Sequence, residues 1–134
     1  MLASTGESAG GTEIALTQRD VRQLQLASGA IRAGIELLLA EAGLAPEDIA
    51  EFLLAGAFGS YIRPASALRI GMLPPVGAGR VRAVGNAAGM GAILCLVSTE
   101  ARQYAADVAR RARYVELSAR LDFQDRFAEA MLFP

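Results

Sequence analysis

The strongest pattern in the chain is a series of apolar residues at the spacing of one helix face. Thr17 precedes this series and Asp20 follows three residues later, which places a hydroxyl where it can cap free backbone amides. Gly43 is suited to end a helix in the left-handed conformation. The pattern therefore predicts a long helix between Thr17 and Gly43. Its predicted apolar face consists of Val21, Leu24, Ile31, Ile35, Leu38 and Ala42.

Short apolar runs predict strands at four places. Residues 13–16 (EIAL) and 114–117 (YVEL) are short strand candidates. Residues 52–55 (FLLA) are apolar throughout, as in a central strand that is covered on both faces. Residues 81–84 resume a strand after a loop rich in glycine and proline.

Helical patterns fill most of the remaining chain. Pro64 suits the first turn of a short helix that runs through Ile70. Residues 87–97 (AAGMGAILCLV) are apolar on every side, which predicts a short helix buried from several directions. A more polar helix is expected over about 100–111. The last predicted helix carries Phe123, Phe127 and Met131 on one face.

The alternation of strands and helices predicts an α/β fold, with a mixed or parallel sheet that has helices on its faces. A chain of 134 residues, 53% of them hydrophobic, is the right size for one domain. Residues 1–12 are small, polar and rich in glycine, so we expect a flexible lead there. The folded domain is expected to span residues 13–134.

Charge and residue usage narrow the classes of partner. All thirteen basic residues are arginine and the net charge is −1, so no positive field is available to attract nucleic acid. The chain has no histidine, the commonest metal ligand and general base. Its single cysteine, Cys95, cannot form an internal disulfide, which favours a reducing cytoplasm. No apolar run approaches the length of a membrane span, so no membrane partner is expected.

Two predicted strands end in glycine-containing turns that feed helices, LLAGAFGS (53–60) and RAVGNAAGMGA (82–92). Such a turn directs backbone N–H groups and the positive end of a helix dipole at one point, which suits a nucleotide. The alternative is that these glycines serve only close packing of a helix on a strand. The residues alone leave both interpretations open.

The second turn also has the glycine spacing of a dinucleotide-binding loop. In short-chain dehydrogenases, however, that loop follows the first strand of the domain, whereas this one lies past the middle of the chain. The Tyr-x-x-x-Lys pair of those enzymes is also absent, because the chain contains no lysine. An NAD-binding, dehydrogenase-like domain therefore remains only as a weak alternative.

Four blocks of the sequence together resemble a known family. They are LTQRDVRQLQLASGAIRAGIELLL, LAGAFGSYIRPASALRIGMLP, VGNAAGMGA and YVELSARLDFQDRFAEAMLFP. These blocks look like the C-terminal region of the ATP-dependent reductive activators of corrinoid proteins. The resemblance covers nearly all of residues 13–134.

The resemblance implies an actin-like (ribonuclease H-like) fold, in which two related lobes close on ATP, and this chain is similar to the second lobe. The turn LLAGAFGS would pack against the adenosine, and Ser60 would offer a hydrogen-bond donor there. The second turn would pack beside the site. The residues that the resemblance thus implies for cofactor binding are Gly56, Ala57, Phe58, Gly59, Ser60, Gly85 and Asn86.

Whole members of the family resemble ferredoxins at the amino terminus, hold a [2Fe–2S] cluster and use ATP to help return cobalt(II) corrinoids to cobalt(I). This sequence lacks the ferredoxin cysteines and the first lobe, which would supply phosphate loops and a magnesium site. Whether it belongs to an enzyme therefore depends on those parts, and we do not expect catalysis by this chain alone. Ser28 is a second departure, since the family pattern suggests a lysine there.

The resemblance implies three partners: a corrinoid protein, the first lobe and the ferredoxin domain. An alternative function is a docking or dimerisation module that has no nucleotide affinity of its own. A lobe without its partner lobe exposes an apolar face, so we also expect a homodimer.

Overall fold

A pair of short parallel strands and a set of helices form the fold in the computed structural model, which describes residues 1–117 and 119–134 and omits the side chains of Ala57 and Phe58. Two short 3₁₀ turns, Pro46–Asp48 and Ala78–Arg80, precede the first and the second strand. The elements in chain order are α1 (Gln18–Ala42), β1 (Phe52–Ala55), α2 (Gly56–Tyr61), α3 (Pro64–Arg69), β2 (Val81–Gly85), α4 (Ala87–Val97), α5 (Thr99–Arg111) and α6 (Leu121–Ala130).

Helix α1 begins and ends where the sequence predicts. The Thr17 hydroxyl accepts a hydrogen bond from the Asp20 backbone N–H at 3.3 Å, and the Asp20 carboxylate accepts from the Thr17 N–H at 2.8 Å. The hydrogen bonds from Thr17 hold the pKa of Asp20 below its ordinary value. Gly43 follows the last turn with φ 68°, which is the left-handed C-cap.

Removal of the Thr17 hydroxyl should destabilise the protein. We expect Thr17→Ala to lower the free energy of unfolding by about 1 kcal/mol, because one N-terminal amide of α1 loses its acceptor. Urea denaturation followed by circular dichroism measures this change. Thr17→Ser, which keeps the hydroxyl, is the control, and equal losses in the two variants would show that the cap contributes nothing.

The buried face of α1 matches the predicted one only in part. Ile31 and Ile35 pack against the core as predicted, whereas Leu24 and Leu38 are 41% and 48% exposed. Helix α1 also packs closely on α6. At Gly29 a Cβ atom would lie 3.0 Å from Met131 Cγ, so the helices approach through small residues. Apolar spacing alone did not reveal this contact, because a glycine contributes to it from α1. The buried residues of α1 are Ser28, Gly29, Ala33, Gly34, Leu37 and Leu39.

Strands β1 and β2 pair in parallel, from Phe52 opposite Val81 to Ala55 opposite Gly85. The connection between them passes through α2 and α3, as parallel pairing requires. The prediction that β1 is covered on both faces is wrong within the described chain, because Leu53 is 53% exposed. Its side chain lies on the opposite face of the sheet from Phe52 and Leu54, which pack against the core.

The hydrophobic core lies between α1, α3, the two strands and the loop after α3. Its buried members are Ala67, Met72, Leu73 and Val81. The loop is fixed by Arg32 of α1, whose guanidinium donates to the carbonyls of Gly71 and Leu73 at 3.4 and 3.1 Å.

Two predicted strands are not strands in the structure. Residues 13–16 contribute only an isolated antiparallel bridge, between Ile14 and Ala3. Residues 114–117 have no regular structure. A run of β-forming residues needs a neighbouring strand to complete its hydrogen bonds, and neither segment lies beside β1 or β2. The bridge between Ala3 and Ile14 does not test whether residues 1–12 form a flexible lead, so that remains a prediction.

Helices α4 and α5 form a hairpin, and Ser98 connects them. The Ser98 hydroxyl caps α5, because it accepts a hydrogen bond from the Ala101 N–H at 3.1 Å. Helix α4 packs on α5 rather than against the core. The prediction that α4 is buried from several sides is therefore wrong: no residue of α4 is buried, and Leu96 and Val97 are 77% and 76% exposed.

The segment after α5 returns to α1 through ion pairs. Arg113 and Arg120 both contact Glu41 near the end of α1, at 2.8 and 3.1 Å. Arg120 also donates two hydrogen bonds of 3.0 Å to Asp122, and this contact lowers the pKa of that carboxyl. Helix α6 follows, with the stacked rings of Phe123 and Phe127 on one face as predicted.

Candidate nucleotide site

The two glycine turns lie side by side at one edge of the sheet. They follow the carboxyl ends of β1 and β2, and the last pair in the register joins Ala55 to Gly85. Ligands of open α/β sheets bind in crevices at the carboxyl ends of the strands. The fold thus brings together two stretches that are about thirty residues apart in the sequence.

Gly56 and Gly85 have the left-handed backbone conformation, with φ of 69° and 62°. A Cβ atom built on either residue would meet no other atom within 4 Å. Each glycine therefore turns the chain sharply at the end of its strand and leaves open space beside the backbone. This space lets a ligand approach the main chain closely.

Gly59 has a different role from the other glycines. A Cβ atom there would lie 2.1 Å from the carbonyl oxygen of Leu54 and 3.1 Å from the backbone nitrogen of Gly85. The absence of a side chain lets α2 lie directly on the two strand ends. Close packing, the alternative that the sequence left open, therefore accounts for Gly59, while Gly56 and Gly85 border the open space.

The polar candidates are exposed and already have local hydrogen bonds. The Ser60 hydroxyl donates to the carbonyl of Gly56 at 3.3 Å. The Asn86 side-chain oxygen accepts from the Gly89 N–H at 2.9 Å and thereby caps α4. Both side chains lie at the edge where the glycines meet, so a ligand there would compete for or share these bonds. The side chains of Ala57 and Phe58, also predicted for this site, lie outside the described residues.

Tyr61 is a candidate that the sequence reasoning missed. It ends α2 and its side chain is 86% exposed. It lines a hollow of about 400 Å³ together with Arg63 and Ser66. An exposed aromatic ring can stack on a flat ligand. The signal was present in the sequence as an aromatic residue directly after the glycine turn.

Ser28, which departs from the family pattern, does not point to this site. Its side chain is buried and its hydroxyl donates to the Leu24 carbonyl at 2.8 Å, within α1. The serine is thus satisfied by its own helix.

The described part of the chain offers no group of three or more carboxylate, thiol or imidazole side chains that could hold a metal ion. In the same part of the chain, no helix combines the length and apolar character that crossing a membrane requires.

Comparison with known proteins gives this geometry a family context. Residues 1–134 match the family described as the C-terminal domain of RACo, the ASKHA domain. The chain is 37% identical over 132 residues to the corrinoid activation enzyme RamQ of Eubacterium limosum, a match that covers 98% of this chain and 22% of RamQ. It is 38% identical over 64 residues to the Co(II) methylated amine-specific corrinoid protein reductase of Methanosarcina barkeri, covering 48% of this chain and 12% of the reductase.

A solved structure, the reductive activator for corrinoid, iron-sulfur protein, matches with a TM-score of 0.91 and 35% sequence identity. The match covers 99% of this chain and 21% of the activator, so the chain spans about a fifth of the length of RamQ and of this activator. The resemblance and the actin-like fold that the sequence predicted are confirmed. The chain belongs to the family of C-terminal ASKHA domains found in RACo, and its homologues are reductive activators of corrinoid proteins.

Proposed function

We propose that this chain is the C-terminal nucleotide-binding lobe of an ATP-dependent activator that returns cobalt(II) corrinoid proteins to cobalt(I). The observation that carries the proposal is the open space beside Gly56 and Gly85, at adjacent strand ends, in a chain of this family. Homologues that are corrinoid activators supply the reaction, and a corrinoid protein is the proposed partner.

In this proposal the lobe binds the adenosine side of ATP. The backbone of Gly56 and Gly85 would face the flat part of the nucleotide, and Ser60 and Asn86 would supply hydrogen bonds. Gly59 would act indirectly, since it sets the position of α2 through its contact with Leu54. When bound, ATP would supply the energy that closes the two lobes of the activator.

The remaining chemistry is assigned to other parts of such an activator. The phosphates and magnesium would be held by a first lobe, and electrons would come from a ferredoxin domain with its [2Fe–2S] cluster. Phosphoryl transfer needs clamps on the phosphates from both sides of the cleft, so this chain alone should not hydrolyse ATP. The expected compartment remains the cytoplasm, where the thiol of Cys95 would stay reduced.

Nucleotide binding can be measured by titrating the ¹⁵N-labelled chain with ADP, ATP and NAD, each with and without magnesium. We expect ADP and ATP to shift amide signals in residues 54–62 and 84–90. The affinity should be weak, with a Kd on the order of hundreds of micromolar to millimolar, because the phosphates have no clamp. Magnesium should change the Kd for either nucleotide little.

Two hydroxyl side chains provide a matched pair of variants. Ser60→Ala removes a hydroxyl from the proposed site, whereas Thr99→Ala removes an exposed hydroxyl from α5. Only Ser60→Ala should raise the Kd for ADP. An absence of shifts with any nucleotide would favour the docking module over the nucleotide-binding lobe. Shifts with NAD alone would favour the dehydrogenase-like alternative, which the comparisons do not support.

The docking or dimerisation module has one observation in its favour. Helix α4 is strongly apolar and yet exposed, with Met90 and Ile93 58% and 52% accessible. A protein surface of this kind usually contacts another protein. This alternative differs from the nucleotide-binding lobe in having no nucleotide affinity of its own, so the titration distinguishes the two.

A further inference from the structure

Strand β1 has the sequence of a central strand but the position of an edge strand. Its residues, FLLA, are all apolar, which is typical of strands that have neighbours on both edges. Within residues 1–117 and 119–134, β1 pairs only with β2, so backbone N–H and C=O groups on its second edge have no partner strand. A further strand on that edge would reconcile the sequence of β1 with its pairing.

The second edge of β1 also carries no charge or proline to discourage pairing. Natural edge strands commonly contain one or the other. The charged residue directly before β1 is Glu51, and its carboxylate is 3.1 Å from the guanidinium of Arg82 in β2. This ion pair thus supports the strand pair that already exists.

An apolar hollow of about 370 Å³ runs along the second edge. All four residues of β1 line it, although successive side chains of a strand point to opposite faces of the sheet. One hollow can border both faces only where it passes along the edge of the strand. In the described part of the chain, β2 contributes no residue to its lining. The other lining residues are Ile31, Ile35, Ile62, Met72 and Leu73.

The chemistry of this edge selects an extended apolar segment. Unpaired strand groups need N–H and C=O partners in register, which a strand supplies and a helix does not, because a helix bonds its own groups internally. One face of an added strand would lie over Ile31 and Ile35. Its other face would lie beside Leu53, which is 53% exposed. The added strand should therefore be apolar on both faces.

The length of the relatives indicates the source of such a strand. The match with this chain covers 22% of RamQ, so most of that activator lies outside the matched region. A strand in the same polypeptide has an effective concentration on the order of millimolar at its binding edge, which a separate protein must exceed to compete. Another segment of the activator is therefore favoured over a second copy of this chain or a separate partner.

We propose that the free edge of β1 receives a β-strand from the part of the activator polypeptide that lies outside this chain. The sheet would then have at least three strands, as independently stable sheets generally require. The proposal rests on the part of the proposed function that makes this chain a lobe of a longer activator. It does not rest on nucleotide binding, so the ADP titration can fail while this proposal holds, and the reverse.

Photo-cross-linking from position 53 identifies what lies on the edge. The test protein is RamQ in which this chain replaces the region that it matches, with p-benzoylphenylalanine introduced in place of Leu53. Mass spectrometry should find a cross-link to one apolar segment of RamQ outside this chain, within the same molecule. The same group in place of Leu38, a similarly exposed leucine of α1, is the matched control and should not reach that segment. Unmodified RamQ, labelled at the residue that aligns with Leu53, gives the same readout if the chimera does not fold.

A charge on the edge tests whether the contact stabilises the activator. Leu53→Lys should lower the melting temperature of the chimera by about 2–4 °C, because the added strand would bury the ammonium group. The same substitution should change the free chain by less than about 1 °C, since Leu53 is exposed there. Leu38→Lys should have a small effect in both proteins.

Three results would overturn the proposal. A cross-link from position 53 of the free chain to a second copy would assign the edge to self-association. A cross-link that forms only after a corrinoid protein is added would assign it to that partner. Equal effects of Leu53→Lys in the chimera and in the free chain would show that no segment of the activator covers this edge.

Discussion

Gly59→Ala is expected to unfold the protein or to destabilise it by about 3 kcal/mol or more. The new methyl group would lie 2.1 Å from the Leu54 carbonyl oxygen, which belongs to the backbone of β1. Because the clash is with backbone atoms, a side-chain rotation cannot relieve it. Movement of either β1 or α2 would break the contact between them. Thermal and urea denaturation followed by circular dichroism measure the loss.

Gly91→Ala is the matched control for this prediction. Gly91 also lies in a helix, and a Cβ atom there would meet nothing within 4 Å. Alanine should therefore stabilise α4 by up to about 1 kcal/mol, as its helix propensity exceeds that of glycine. If Gly59→Ala proved as stable as Gly91→Ala, the close approach of α2 to β1 would be disproved.

Leu37→Ala is expected to have the second large effect on stability, a loss of about 2–5 kcal/mol. Leu37 is 0% exposed and is among the largest fully buried side chains of the described chain. Its truncation would leave a cavity between α1 and its neighbours, in addition to the lost transfer free energy. The free energy of unfolding from urea titration gives the value.

Leu38→Ala provides the comparison on the same helix. Leu38 is 48% exposed, so the same substitution should cost less than about 1 kcal/mol. The prediction from apolar spacing alone is the reverse, because that pattern assigns Leu38 to the buried face. Equal or reversed losses in the two variants would contradict the packing of α1 described above.

Local signals in the sequence predicted the ends of elements well. The hydroxyl of Thr17, the left-handed Gly43 and the proline at the start of α3 are each sufficient to begin or end a helix without help from the rest of the chain. These contacts span a few residues, so the sequence contains all the information that they need.

Burial was predicted less well because it depends on distant contacts. Helix α4 has the composition of a core helix, yet its exposed stripe has no covering element within the described chain. The contact of α1 with α6 depends on Gly29 and Met131, a pair about a hundred residues apart. Neither residue type signals such a contact in a hydrophobicity pattern.

The placement of the two glycine turns at strand ends was predictable from the sequence, but the different roles of their glycines were not. The sequence indicated that both glycine turns could bind a nucleotide. Only the parallel register of β1 and β2 shows that Gly56 and Gly85 meet at one edge. Only the position of Leu54 shows that Gly59 has a packing role. The exposure of the Tyr61 side chain likewise can be seen only in the folded structure.

The guanidinium of Arg32 has a mechanical consequence. It joins the carbonyls of Gly71 and Leu73 to α1, while Pro134 packs against Gly71 from the other end of the chain. A loop whose glycines would otherwise allow it many conformations is thereby held between two distant segments of the chain. We therefore expect its backbone amides to exchange with solvent more slowly than those of a loop without such contacts.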